Sequence, residues 1–292
     1  MLQLVLSLLL MGAPASAASS DHEADVAQWH AGRIERLHNP NGWLTLVGLF
    51  RLDPGANTFG SAADNLLVFP QSAPAHAGTL HVADGKVRLE AAAGVTITVD
   101  GAAPPSGPLG TDIDETTHVL ELGSYRFYVI ERNGDLMLRV RDHEAPLLKQ
   151  FQGIDRYPVE DRWRVTARIV PYDEPKAVSI PNILGTSSIQ MVPAALVFTL
   201  EGKELHLDPI AEGDEYWLIF GDETNGPETY GGGRFLYSEP IGADGTVVID
   251  FNKSYNPPCV FTPYATCPLP PQDNQLAVAL RAGEKMWGDA EH

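Results

Sequence analysis

The pattern of apolar and polar residues changes near Trp43. From Asp21 to Leu37 the apolar residues approximate the spacing of one face of an α-helix. Ser19 or Ser20 can cap this helix, and the segment 39–42, Asn-Pro-Asn-Gly, can end it. The pattern therefore predicts an N-terminal helix within residues 18–42.

Three histidines recur along this helix with a spacing of eight residues: His22, His30 and His38. Eight residues turn a helix by about 80° beyond two full turns, so the three side chains do not share one face. We therefore expect surface histidines here rather than a set of ligands.

After Trp43, short alternating runs are separated by turn signals such as Asp84-Gly85, Asp100-Gly101 and Asn133-Gly134. Short strands at regular spacing are typical of a β-sandwich. A second series of strand-like runs follows Arg139. The predicted fold is mainly β, with the N-terminal helix, a small β-sandwich over residues 43–138, and a second β-rich domain over residues 139–292 that contains a Pro-rich loop at 252–271.

The strand order of the small sandwich resembles that of a forkhead-associated domain. The phosphothreonine-binding residues of that family, an Arg and a Ser-x-x-His motif, have no counterpart here. Ser61 follows Gly60, and the sequence around His76 reads APAHAG. Phosphopeptide binding is therefore not expected.

The chain has 292 residues, 44% hydrophobic content and a formal net charge of −18. This hydrophobic content is enough for a sizeable core. The negative charge argues against binding to nucleic acid or to an anionic membrane surface, because both would repel the protein.

The first residues have the pattern of an exported protein. The run from Leu2 to Met11 is almost entirely apolar, and Ala15-Ser16-Ala17 forms an A-x-A site. This predicts a signal peptide at 1–17, cleaved before Ala18, and a secreted or periplasmic protein. The run is too short to cross a bilayer comfortably, so no membrane span is predicted.

Two blocks near the C-terminus combine polar residues, aromatic residues and prolines. Gly221–Leu236 reads GDETNGPETYGGGRFL, and Asp250–Pro271 reads DFNKSYNPPCVFTPYATCPLPP. Together with GWLTLVGLFRL, RVRDHEAPLLKQFQGIDRYPV and the later AGEK, they resemble the uncharacterised bacterial and archaeal family called domain of unknown function 1684. The resemblance covers about Trp29–Lys285 and implies no activity.

The same two blocks predict a binding site, because aromatic residues threaded through polar ones are typical of an ordered loop surface rather than of a tether. The run Gly231–Gly233 is either a turn or bulge between strands, or a place where a ligand approaches the backbone. Arg234 either clamps a ligand carboxylate or bridges Glu228 and Asp250. The predicted ligand-binding residues are Tyr230, Arg234, Asn252, Tyr255, Asn256 and Tyr264, although those from 252 onwards could equally serve only to hold the loop in shape.

Acid–base chemistry has two weaker sets of candidates. His143 and Asp142 are neighbours in the segment Arg-Asp-His-Glu, where adjacent carboxylates could raise the pKa of the histidine. Alternatively, Asp142 caps a helix that starts near Ala145. Asp222 and Glu228 could supply a carboxylate pair, or they could be solvated or capping residues.

Cys259 and Cys267 are the two cysteines of the chain. The leading prediction is a disulfide between them, which an oxidising compartment would allow. Two free buried thiols and a pair of metal thiolates are the alternatives, although two cysteines fall short of the usual four-ligand zinc set. No metal site and no cofactor are predicted.

The sequence thus favours an exported β-protein that binds a small polar ligand or glycan at loops 221–234 and 252–267. A hydrolase that uses a carboxylate pair or His143 with Asp142 is the first alternative. A structural or adaptor module whose acidic surface meets another protein is the second.

Overall fold

The structure is a computed structural model and describes residues 19–288. The protein is mainly β, with one long N-terminal helix, as its sequence pattern predicts. The signal peptide predicted at 1–17 lies outside the described residues. Within residues 19–288, no helix has the length and apolar character needed to cross a membrane.

The N-terminal helix α1 spans Ser20–His38. Ser19 caps it, because its side chain accepts a hydrogen bond from the amide of His22. The expectation of three surface histidines is wrong for His22. Its ring nitrogens lie 2.8 Å from a carboxylate oxygen of Asp161 and 2.8 Å from one of Asp250, which ties the start of α1 to distant strands.

Eight strands and two sheets follow α1. The strands are β1 (Leu46–Arg51), β2 (Gly55–Gly60), β3 (Leu67–Val68), β4 (Gly78–Ala83), β5 (Lys86–Ala91), β6 (Leu120–Leu122), β7 (Tyr125–Arg132) and β8 (Asp135–Asp142). The sheet orders are β1-β8-β7-β6 and β3-β2-β4-β5. Phe59, Phe69 and Phe127 pack against one another in a core that both sheets share.

This sheet pair is a sandwich, but its likeness to a forkhead-associated domain is not confirmed. Strand β8 runs through position 138, where the sequence analysis ends the small sandwich, and continues to Asp142.

The rest of the chain forms two further sheets. The elements are α2 (Pro146–Gln150), β9 (Arg164–Pro181), β10 (Ser187–Leu200), β11 (Lys203–Leu207), β12 (Ile210–Glu212), β13 (Glu215–Asp222), β14 (Arg234–Tyr237), β15 (Thr246–Asp250) and β16 (Gln275–Leu276). The orders are β11-β10-β9-β15 and β12-β13-β14, and β16 pairs with β13 in parallel. A second core that includes Leu196, Phe220 and Phe251 lies between these sheets.

The Pro-rich loop after β15 is part of the interior. Cys259 and Cys267 pack against Ile219 and Phe235 of the β13–β14 pair. The same loop packs Val260 and Phe261 into a cluster that also contains residues of α1 and residues close to α2. The loop therefore joins the second sheet pair to the N-terminal helix and is not a tether.

Candidate functional site

The two loop blocks lie side by side. The first connects β13 to β14, and the second follows β15. The amide of Phe235 donates to the carbonyl of Tyr255 at 2.9 Å, and the amide of Tyr255 donates back to the carbonyl of Phe235 at 2.8 Å. This pair of hydrogen bonds places the ends of both blocks at the same edge of β14.

Arg234 lies in the interior and does not face a ligand. Its side chain is 0% exposed, and it donates to Asp222 Oδ2 at 2.7 Å and to the carbonyls of Leu280, at 2.9 Å, and Ala282. The predicted clamp and the predicted bridge between Glu228 and Asp250 are therefore both wrong. The reason is that Arg234, the first residue of β14, points into the core, where Asp222 at the end of β13 is the nearest carboxylate.

Asn252 and Asn256 are also buried, at 3% and 0% exposure. The side-chain amide of Asn252 accepts from the backbone amide of Glu160 at 3.1 Å and donates to the carbonyl of Glu160 at 3.0 Å. Asn256 donates from its side chain to the carbonyl of Lys285 at 2.7 Å. Both side chains hold the loop in shape, which is the second of the two roles considered for them.

Sequence reasoning missed the charged pair that anchors this loop. Glu284 is 0% exposed and accepts hydrogen bonds from Arg33 Nε at 2.8 Å and from the backbone amide of Asn256 at 2.7 Å. Arg33 lies on α1, 251 positions away in sequence. The only signal was the AGEK block, which supports the family resemblance but suggests no role for its glutamate.

The tyrosines of the predicted site remain partly accessible. Tyr255 contacts Phe235, and the guanidinium of Arg33 lies 4.6 Å from its ring centre. Burial raises the pKa of Tyr255 to about 12, so its phenol is neutral. The ring of Tyr230 lies against Gly232, and Tyr264 is half-buried with its amide bonded to Thr262.

The carboxylate pair needed for hydrolysis does not form. Asp222 is held by Arg234, whereas Glu228 accepts from Arg281 at 2.7 Å and from Tyr157 at 2.9 Å. These hydrogen bonds, that of Arg281 above all, lower the pKa of Glu228. Both carboxylates are therefore engaged by arginine side chains, and neither is free to act as a general acid.

His143 and Asp142 do not form an acid–base pair. Asp142 Oδ1 accepts from the amide of Glu144 at 2.9 Å. The predicted capping role is also wrong, because the residue before α2 is Ala145 and no side chain caps that helix. Burial and the nearby Arg126 lower the pKa of His143, in contrast to the expected rise. Among residues 19–288, no group of three or more His, Cys, Asp or Glu side chains is placed to hold a metal ion.

The predicted disulfide is absent from this structure, in which Cys259 and Cys267 are free and buried. The amide of Cys259 lies 3.1 Å from Cys267 Sγ and donates to it. The two side chains therefore occupy neighbouring positions as thiols.

A cleft of about 300 Å³ opens beside the glycine run. We call it the glycine cleft. At Gly233, where φ is +85°, a Cβ atom would lie 2.4 Å from Pro270, so only glycine fits. At Gly231 a Cβ would have no neighbour closer than 4.0 Å and would project into open space. The lining residues are Pro181, Gly221, Asp222, Asn225, Gly231, Gly232, Gly233, Leu269, Pro270 and Gln275.

The glycine cleft presents neutral polar groups. The charge of Asp222 is compensated by Arg234. Asn225 is occupied in holding the loop, since it donates to the carbonyl of Tyr230 at 2.9 Å and accepts from the amide of Asp222 at 2.6 Å. Within residues 19–288, the side-chain amide of Gln275 and the backbone amides at 231 and 232 have no hydrogen-bond partner. These groups are available to a ligand.

Comparison with known proteins places both loops in one family segment. Residues 149–285 match the model of a family described as "Protein of unknown function (DUF1684)". The solution NMR structure of an uncharacterized protein of Haloarcula marismortui is 30% identical in sequence, with a TM-score of 0.40. That similarity covers 49% of this chain and 80% of the other. No curated protein matches the chain.

Proposed function

The chain belongs to the DUF1684 family, and from the chemistry of its glycine cleft we propose that it binds a small uncharged polar ligand there. The observation that carries this proposal is that three residues with unpartnered amide groups, Gln275, Gly231 and Gly232, line one cavity. Sugars and peptide-like amides are the ligand classes with matching donors and acceptors.

The walls of the cleft support the same ligand class. Pro181, Leu269 and Pro270 supply apolar surface to the lining. A sugar ring or a short amide offers apolar C–H groups to such walls and polar groups to the amides. The volume of about 300 Å³ is at the lower end of ordinary ligand sites, which span roughly 300–1,000 Å³. A ligand of about one ring or two amino-acid residues is therefore proposed.

A charged ligand is disfavoured because, within residues 19–288, no unpaired charged side chain lines the cleft. The one acidic side chain in the described lining, Asp222, is already paired with Arg234. An ion entering the cleft would lose hydration without gaining a counter-charge.

The proposal can be tested by thermal shift against a panel of sugars, amino-acid amides and short peptides. Gly231→Leu should block the cleft without strain, because the new side chain projects into open space. Gly107→Leu is the matched control, since a Cβ there also meets nothing within 4 Å and the residue lies in the first sandwich. Gln275→Leu removes the side-chain amide alone.

We expect at least one uncharged compound to stabilise the wild type and the Gly107→Leu variant but not Gly231→Leu. A ligand present at 100 times its Kd adds about 2.7 kcal/mol to the free energy of unfolding. For a chain of this size this corresponds to a rise in Tm of roughly 5–10 °C. A Tm shift that Gly231→Leu leaves unchanged, or a response to charged compounds only, would place the ligand elsewhere.

We also propose that the protein acts outside the cytoplasm, on the basis of the apolar run and the A-x-A site at the start of the sequence. Mass spectrometry of the protein from its native host should find an N-terminus near Ala18. Detection of only the full-length chain in the cytosol would contradict export while leaving the cleft proposal intact.

A further inference from the structure

Two polar side chains near the cysteine pair, those of Tyr230 and Arg139, bear on the chemistry of its sulfurs. Cys259 lies in a short turn, Pro258–Val260, and Cys267 follows eight residues later. Because the Cys259 amide already donates to Cys267 Sγ at 3.1 Å, the two side chains meet without any rearrangement of the backbone fold.

Tyr230 is the first of these neighbours. Its ring packs in the same cluster as both cysteines. The hydrogen bonds from Cys267 and Tyr230 lower the pKa of Cys259 despite burial, whereas burial raises the pKa of Cys267. Cys259 is therefore the more acidic of the two thiols.

Arg139 is the second neighbour. It is 5% exposed, and its side chain donates to Thr266 Oγ1, next to Cys267 in sequence, at 3.2 Å. Within residues 19–288 no carboxylate lies within ion-pair distance of its guanidinium, and its Nε has no partner. Its charge acts on Cys267, but burial outweighs this effect and raises the pKa of that cysteine.

We propose that Cys259 and Cys267 form a redox site that a small hydroperoxide oxidises to a reversible disulfide. The Cys259 thiolate attacks the hydroperoxide: an S–O bond forms, the O–O bond breaks, and the released alkoxide or hydroxide takes up a proton. The sulfur of Cys267 then attacks the Cys259 sulfenic acid. An S–S bond forms, the S–O bond breaks, and water leaves with the thiol proton of Cys267.

Burial defines the class of oxidant. The two cysteines are 1% and 3% exposed, so a hydroperoxide can reach the sulfur more readily than a bulky disulfide such as oxidised glutathione. Cys259 is the attacking residue and Cys267 the resolving one, because Cys259 has the lower pKa of the two.

The experiment uses the full mature chain, reduced and then freed of reductant. One equivalent of hydrogen peroxide should remove both thiols counted by N-ethylmaleimide after denaturation, lower the mass by two hydrogen atoms, and be reversed by dithiothreitol. In Cys267→Ser, dimedone should trap a sulfenic acid on Cys259. In Cys259→Ser, Cys267 should not be trapped. Oxidised glutathione should act far more slowly on the native protein.

Tyr230→Phe should slow oxidation about tenfold, the effect of losing one hydrogen bond to a charged group. Tyr264→Phe is the control, since this tyrosine belongs to the same loop and lies outside the cluster that holds the cysteines. The wild-type thiol count and mass need no variant and decide the proposal even if a substituted chain does not fold. Reaction no faster than that of free cysteine, or a bridge that resists reduction in the native state, would overturn it.

Discussion

Replacement of Arg234 by methionine should remove most of the stability of the protein. The side chains of Arg234 and Asp222 are both 0% exposed and paired at 2.7 Å. Loss of one partner of a buried ion pair costs about 3–5 kcal/mol, because the remaining charge is left uncompensated. The carbonyls of Leu280 and Ala282 also lose their donor, and an unsatisfied buried acceptor costs about 1–3 kcal/mol.

These terms together reach about 5 kcal/mol or more, against a total free energy of unfolding of about 5–15 kcal/mol for a typical protein. Urea denaturation followed by circular dichroism measures the loss directly. The double variant Asp222→Leu/Arg234→Met should recover part of it, because neither charge then remains buried. Arg281→Met is the comparison, since its ion pair with Glu228 lies at the surface, and its effect should be much smaller.

If Arg234→Met lowers the free energy of unfolding by less than about 1 kcal/mol, the reasoning from burial is refuted, because so small an effect is typical of a substitution at the surface. If the double variant is less stable than Arg234→Met alone, the uncompensated charge of Asp222 is not the cause of the loss. The first result would also restore Arg234 as a candidate for ligand binding.

Two further substitutions test how the N-terminal and C-terminal segments are held against the rest of the fold. His22 has a raised pKa, since its hydrogen bonds to Asp250 and Asp161 outweigh its burial. Its stabilising effect is therefore fully present below the unfolded value of about 6.5 and should be lost as pH rises through the folded value. Tm is measured as a function of pH for the wild type, for His22→Gln and for the exposed control His38→Gln. The Tm values of the wild type and of His22→Gln should converge at alkaline pH. A difference between these two Tm values that does not change with pH would refute the charge effect. Gly283→Ala should lower the free energy of unfolding by at least about 1 kcal/mol more than Gly202→Ala does. The backbone strain is the same, because φ is +73° at Gly283 and +74° at Gly202. Only at Gly283, however, would a Cβ meet a neighbour, the carbonyl of Ser254 at 2.4 Å. Equal urea midpoints for the two variants would contradict that clash.

The sequence by itself determined the elements that depend on near neighbours. The helix cap at Ser19 and the end of α1 before Pro40 follow from residues within one turn of each other. Asp84, Asp100 and Asn133 have positive φ values, at turns that the sequence signals between strands. The mainly β fold follows from alternation along each run, which requires no knowledge of the partner strand.

The tertiary structure alone decided which polar side chains are buried and what they bind. Arg234 reads as a surface residue among loop glycines, yet Asp222, Leu280 and Ala282 surround it. Glu284 is buried because Arg33, 251 positions away, and the backbone amide of Asn256 both donate to it. A charged group leaves water only where several distant partners converge on it, and that convergence depends on the packing of sheets and loops, which local sequence does not encode.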